Sequence, residues 1–104
     1  MSATAPTIIY VTYQGSATTR FDRGYYVGTH LPLVMKAWEG HGLESAAAFF
    51  PAAAQDGTIA ICELRFRDDA ALAASLASAD TSEVMADVAR FTDVKPVLAR
   101  AVSV

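Results

Sequence analysis

Cysteine is all but absent from this chain. Cys62 is the single one among 104 residues, so no disulfide can staple the fold and no C-x-x-C or zinc-type spacing exists. Lying in an apolar run, Cys62 reads as a small buried hydrophobe. A chain that needs no disulfide needs no oxidising compartment, which makes the cytoplasm the expected location. Charge is scarce as well. Charged residues make up 18%, against a usual share of about 25%. The eight Lys plus Arg are scattered and the net charge is −3, so the basic patch of a nucleic-acid binder is missing. Long apolar runs are lacking too. No stretch approaches the roughly twenty residues of a membrane span. The uncharged segment 1–19 has no basic start, and its apolar stretch Ile8–Val11 is too short for a targeting peptide. The fingerprints G-x-G-x-x-G, G-x-x-x-x-G-K-S/T and G-x-S-x-G do not occur, which disfavours nucleotide cofactors and serine-hydrolase chemistry. His30 and His41 are eleven positions apart, without clustered carboxylates, so no metal site is expected.

What is present is apolar. Hydrophobic residues make up 53%, which excludes a disordered chain. A domain this small buries only about two-thirds of its unfolded surface. Some apolar surface therefore has no place inside one protomer, and a partner subunit or a pocket must take it. Residues 1–6 read as a short flexible tail, and 7–104 as one domain with neither linker nor internal repeat.

Thr7–Tyr13, rich in β-branched and aromatic residues, reads as a strand buried on both faces. Asp22 is placed to cap a helix running to about Glu39 and stopping at Gly40, with Gly42 close behind. Within it Tyr26, His30, Leu33 and Ala37 share one face. Leu43–Phe50 and Thr58–Phe66 read as strands joined by a turn, the second alternating cleanly. Asp68 caps a further helix over 70–79, with Leu72, Ala73 and Leu76 at helical spacing. Asp80 and Glu83 form a capping-box pattern that would start a second short helix, with Val84, Val88 and Phe91 as its apolar stripe. Val94–Val102 closes the chain as a strand, Pro96 near its start. The order βαββαβ predicts a ferredoxin-like α+β domain: a four-stranded antiparallel sheet with its helices on one face. The uncovered face then calls for an identical protomer packed sheet on sheet.

The first helix breaks local rules. Gly24 and Gly28 each cost about 1 kcal/mol relative to Ala in a helix. Pro32 costs about 3 kcal/mol, because it donates nothing to the Gly28 carbonyl and crowds it. A kink or tightened turn near residues 28–32 is the expected relief. Either the glycines permit close packing while Pro32 bends the helix around the core, or the break aims His30 and the Tyr25–Tyr26 pair into a cavity. His30 is the best titratable candidate, because an imidazole exchanges protons near neutral pH. His41, between two glycines, reads as exposed. Trp38, Phe49, Phe50, Phe66 and Phe91 are core by default, with Trp38 placed to line a pocket mouth.

Phe21-Asp22-x-x-Tyr25-Tyr26-x-x-x-His30-x-Pro32-Leu33 resembles the signature of EthD-domain proteins. Met85-Ala86-Asp87 through Phe91-Thr92-Asp93-Val94-x-Pro96 resembles that family's second signature. The similarity runs from Ile8 to about Val102. It implies a dimeric α+β barrel of two ferredoxin-like protomers. It also points to Tyr26 and His30 as site residues, with Phe91 and Asp93 nearby. Related barrels include cofactor-free monooxygenases of polyphenols, lactone isomerases and decarboxylases, and more distant ones bind haem.

Two functions follow as expectations. The first is a cofactor-independent enzyme, monooxygenase or oxidoreductase in type, with isomerase or decarboxylase chemistry as variants. His30 would be its general base and Tyr26 the stabiliser of an enolate oxygen. Tyr25, Trp38, Phe91 and Asp93 would contact a hydrophobic aromatic or polyketide-like ligand. The second is a non-catalytic homodimer that sequesters a hydrophobic metabolite. Haem binding is a lesser third.

Overall fold

The computed structural model describes residues 6–102, so most of the tail expected over 1–6 lies outside the described residues. Four strands, β1 (Thr7–Gly15), β2 (Leu43–Phe49), β3 (Gly57–Phe66) and β4 (Val97–Ala101), form one sheet in the order β2-β3-β1-β4. All neighbours are antiparallel. This is the ferredoxin-like arrangement expected from the order of elements. β3 follows β2 in the chain and pairs with both β2 and β1. No helix among the described residues is long and apolar enough to cross a membrane.

Alternation along each strand decides what the helices cover. Thr7, Ile9 and Tyr13 of β1 and Ala60, Cys62, Leu64 and Phe66 of β3 are buried on the helical side. Val11 sits there between Cys62 and Leu98. Burying a large apolar side chain contributes roughly 1.5–3 kcal/mol, so this row supplies much of the core. The opposite side carries Ile8, Tyr10 and Thr12, which are only half-buried. β1 is therefore covered on one face by its own chain, not on both. On the open face Phe49, Ile61, Thr12 and Val97 fall in one cross-strand row, and Phe49 and Val97 are each 54% exposed. Beside it the Tyr10 hydroxyl donates to Glu63 Oε2 at 2.6 Å.

The first helix, residues 23–38, has three parts. One turn, α1 (Arg23–Tyr25), is capped by Asp22, whose carboxylate accepts from the Tyr25 N–H at 3.0 Å. A π-helical turn, Tyr26–His30, follows. Then comes α2 (Leu31–Trp38), with Pro32 in its first turn, where a missing N–H is harmless. The break expected near Pro32 is thus a widened turn rather than a kink or a tightened one. The Leu31 N–H reaches back five residues to the Tyr26 carbonyl, and the backbone stays right-handed at Tyr26, His30 and Leu31. The widening shifts the helical phase. The buried residues are Tyr26, His30, Val34, Ala37 and Trp38, so Ala37 faces inward as expected while Val34 takes the place expected of Leu33. Close packing does not explain Gly28, because a Cβ there would meet nothing within 4 Å.

The α-helix ends at Trp38, one residue before the expected end. A 3-10 turn, Glu39–His41, leads into Gly42 at φ +114°, a left-handed cap suited to glycine. His41 is exposed, as expected. The second helical segment is split as anticipated into α3 (Asp69–Ala77) and α4 (Thr81–Asp87), followed by a 3-10 turn, Val88–Arg90. Asp68 caps α3 through the Ala71 N–H at 2.8 Å. The capping box at Asp80 does not form, because Asp80 is itself helical in backbone and its side chain bonds no N–H. Thr81 takes the junction instead. Its hydroxyl donates to the Ser75 carbonyl at 2.7 Å and accepts from the Trp38 indole at 3.1 Å. Ala71 and Ser75, not Ala73 and Leu76, face inward from α3. β4 begins only at Val97, after Pro96.

Two glycine substitutions separate these roles. Gly42→Ala forces a Cβ into Ala71 at a left-handed φ, and a loss of about 1–3 kcal/mol is expected. Gly28→Ala meets open space and restores helix propensity, for a gain of up to about 1 kcal/mol. Urea unfolding of both variants checks this, and equal effects would contradict it.

Candidate active site

The π turn fixes where His30 points. His30 and Tyr26 lie one turn apart and stack, with centroids 5.6 Å apart and planes 18° from parallel. Phe91, wholly buried, backs the imidazole at 4.7 Å. Nδ1 of His30 lies 2.9 Å from Oδ2 of Asp87, at the last residue of α4. The other carboxylate oxygen, Oδ1, accepts from the Tyr25 hydroxyl at 2.7 Å. An ionised carboxylate only accepts, so the proton sits on Nδ1 and Nε2 keeps its lone pair. Among the described residues, Asp87 is the ring's hydrogen-bond partner.

The electrostatics agree with a neutral imidazole. Burial pushes the His30 pKa below its usual value, and the Asp87 bond and charge pull it back only in part. Burial would raise the Asp87 carboxyl, but hydrogen bonds from His30 and Tyr25 outweigh it and hold the group below the ordinary carboxylate range. Arg90 Nε, at 3.8 Å from Oδ1, acts in the same direction. Tyr26 is a phenol kept protonated. Burial drives its pKa far up, aided by the neighbouring Cys62 and Tyr13. Burial likewise pushes the Cys62 thiol up to about 11, so it is no nucleophile at neutral pH.

His30 borders a cavity of about 40 Å³ between the sheet and the helices. Val11, Cys62 and Leu98 border it from the sheet, Tyr26, Val34 and Trp38 from the first helix, and Met85, Val88 and Pro96 from α4 and the segment between it and β4. Such a space holds a few waters. It is far smaller than the roughly 300–1,000 Å³ of a drug-sized pocket, so a larger guest enters only if lining side chains move. Met85 is 45% exposed and Leu98 43%, and a methionine adapts its shape cheaply.

The site residues expected from sequence fall into two groups. His30, Tyr26 and Trp38 line the cavity, although the Trp38 N–H is taken by Thr81. Tyr25 and Phe91 do not border it and instead brace Asp87 and His30. Asp93 is also outside it. Its carboxylate lies on the surface, held by two hydrogen bonds from Arg20 at 2.9 and 3.2 Å. Asp87 itself was not among the expected site residues. Its only sequence signal is the stretch Met85-Ala86-Asp87, because its partner His30 lies 57 positions away.

The sequence matches the EthD domain family over residues 14–95, a span that holds both His30 and Asp87. This chain belongs to the EthD family. Among solved structures, the EthD chain is similar to an EthD-like protein from Ralstonia eutropha JMP134. The two are 22% identical, with a TM-score of 0.81, covering 94% of this chain and 91% of that one. It is also similar to an EthD family protein from Bacillus halodurans C-125, at 15% identity and a TM-score of 0.70, over 94% and 99% of the two chains. An antibiotic biosynthesis monooxygenase shares the fold at 12% identity and a TM-score of 0.54, over 96% and 99%. No curated protein matches the EthD chain.

A buried neutral imidazole ties stability to pH. The folded pKa of His30 lies below the unfolded value of about 6.5. The unfolded chain therefore binds more protons as pH falls below that value, and stability drops. The lowered pKa of Asp87 adds a second loss that begins near pH 4. NMR titration is expected to place the His30 midpoint below 6.5, with urea stability falling between pH 7 and 5 and a flatter profile in His30→Ala. A midpoint at or above 6.5 would contradict the buried-neutral state.

Proposed function

We propose that this EthD protein is a small cofactor-independent enzyme in which His30 acts as general base on an apolar, aromatic or polyketide-like carbon acid. The observation that carries this is the Asp87–His30 bond, which leaves a basic Nε2 on a ring that borders an apolar cavity. Nε2 takes the proton from an activated C–H or a phenol. The lowered pKa of His30 moderates its strength as a base, and a neutral ring at pH 7 is ready to accept. Tyr26, protonated and beside His30, stabilises the enolate oxygen by donating its hydroxyl to it. Asp87 positions the ring and steadies the imidazolium that forms.

An oxygenation completes the chemistry without an added reductant. The enolate reacts with O2, a CH2 group becomes a carbonyl, and the second oxygen leaves as water. Reprotonation elsewhere gives an isomerase, and loss of CO2 a decarboxylase. The monooxygenase among the fold relatives favours the first. In the same proposal a second copy covers the open face at Phe49, Ile61 and Val97, completing a dimeric barrel in a cytoplasmic protein. The small size of the cavity favours one other reading, a homodimer that sequesters a hydrophobic metabolite with His30 as an internal hydrogen-bond donor.

Deuterium uptake from D2O by a series of 1,3-diketones and anthrones separates the two. The enzyme reading predicts exchange that falls by about 10²–10⁴-fold in His30→Ala. Asp87→Asn is expected to lose at least about tenfold, because an amide can fix the wrong tautomer. Exchange within about threefold of wild type in His30→Ala would remove the base role.

A further inference from the structure

Outside the inner cavity lies a surface cleft of about 350 Å³, lined by Met85, Val88, Thr92, Asp93, Lys95 and Pro96, with Ala89 and Val94. Three of these residues, Met85, Val88 and Pro96, also border the inner cavity. The two spaces are therefore separated by shared side chains, of which Met85 is the exposed and flexible one. The charges in the cleft are not balanced. Asp93 is held by the Arg20 guanidinium, and the Thr92 hydroxyl donates to the Arg20 carbonyl at 2.7 Å. Among the described residues Lys95 has no carboxylate within ion-pair distance. A cation without a counter-ion at the rim of an apolar cleft suits an anion on the ligand.

We propose that cavity and cleft form one elongated binding site, and that its ligand is an apolar, flat molecule with a carboxylate at the end remote from the reacting carbon. The reacting end sits at His30, the body displaces the Met85 side chain and runs along Val88 and Pro96, and the carboxylate meets Lys95. This deepens the enzyme reading by naming a substrate class and rests on it for the inner end alone. A neutral ligand of the same shape would gain nothing from Lys95, so the rim discriminates by charge.

Two ligands of nearly equal shape test the arrangement, 2-naphthoate and the neutral 2-naphthylmethanol. Binding is followed by fluorescence and by the methyl resonances of Met85 and Leu98. At low salt the carboxylate is expected to bind about two- to fivefold tighter, the range of an exposed ion pair. The preference should vanish in Lys95→Gln, invert in Lys95→Glu and shrink as salt is raised. Lys95 is exposed, so these variants leave the core alone. His30→Ala should keep the preference, which sets this result apart from any failure of the base role. The proposal is overturned by equal affinities, or by a preference that survives Lys95→Gln. Shifts confined to Phe49 and Val97 on the open sheet face, or no saturable binding of either compound, overturn it as well.

Discussion

The hydrogen bond between His30 and Asp87 is the constraint on which the site depends. It joins the first helix to the end of α4, two elements also tied by hydrogen bonds from Tyr25 to Asp87 and from Trp38 to Thr81. Both groups are nearly removed from water, with side chains 5% and 11% exposed. A buried carboxylate and a buried imidazole each lose hydration, and the loss is tolerable only if each satisfies the other. Asp87 does so with both oxygens, one on His30 and one on Tyr25. The cost of desolvation is therefore tied to a fixed ring orientation, and that orientation is what chemistry at Nε2 requires.

Helix geometry serves the same end. The π turn ends at His30, and the regular helix α2 that follows places Val34 and Trp38 against the cavity. Pro32 then falls in the first turn of α2. The residue that looked most damaging in the sequence sits where a helix tolerates it, and the widened turn is spent next to the one imidazole that faces inward. π turns of this kind are frequent at functional sites.

Much of the fold was legible because it follows from alternation and order. The buried set Ala60, Cys62, Leu64 and Phe66 shows period two in plain sequence, and a βαββαβ order admits few sheets. Caps at Asp22 and Asp68 were legible because they act within three residues. The capping box at Asp80 failed for a tertiary reason, as Thr81 bonds Ser75 and Trp38 instead. The candidate site was half legible. His30, Tyr26 and Trp38 share a helix, so their grouping can be counted off by spacing. Asp87 becomes their neighbour only through the packing of α4 on the first helix. Asp93, attractive by its place beside Phe91, is turned outward by Arg20.

The account stands on which nitrogen of His30 carries the proton. Long-range ¹H–¹⁵N correlation of the histidine side chains at neutral pH reads this directly, since the protonated and unprotonated ring nitrogens resonate far apart. The account predicts the Nδ1–H form for His30, with an unprotonated Nε2. A spectrum showing the Nε2–H form, or a doubly protonated ring, would contradict it.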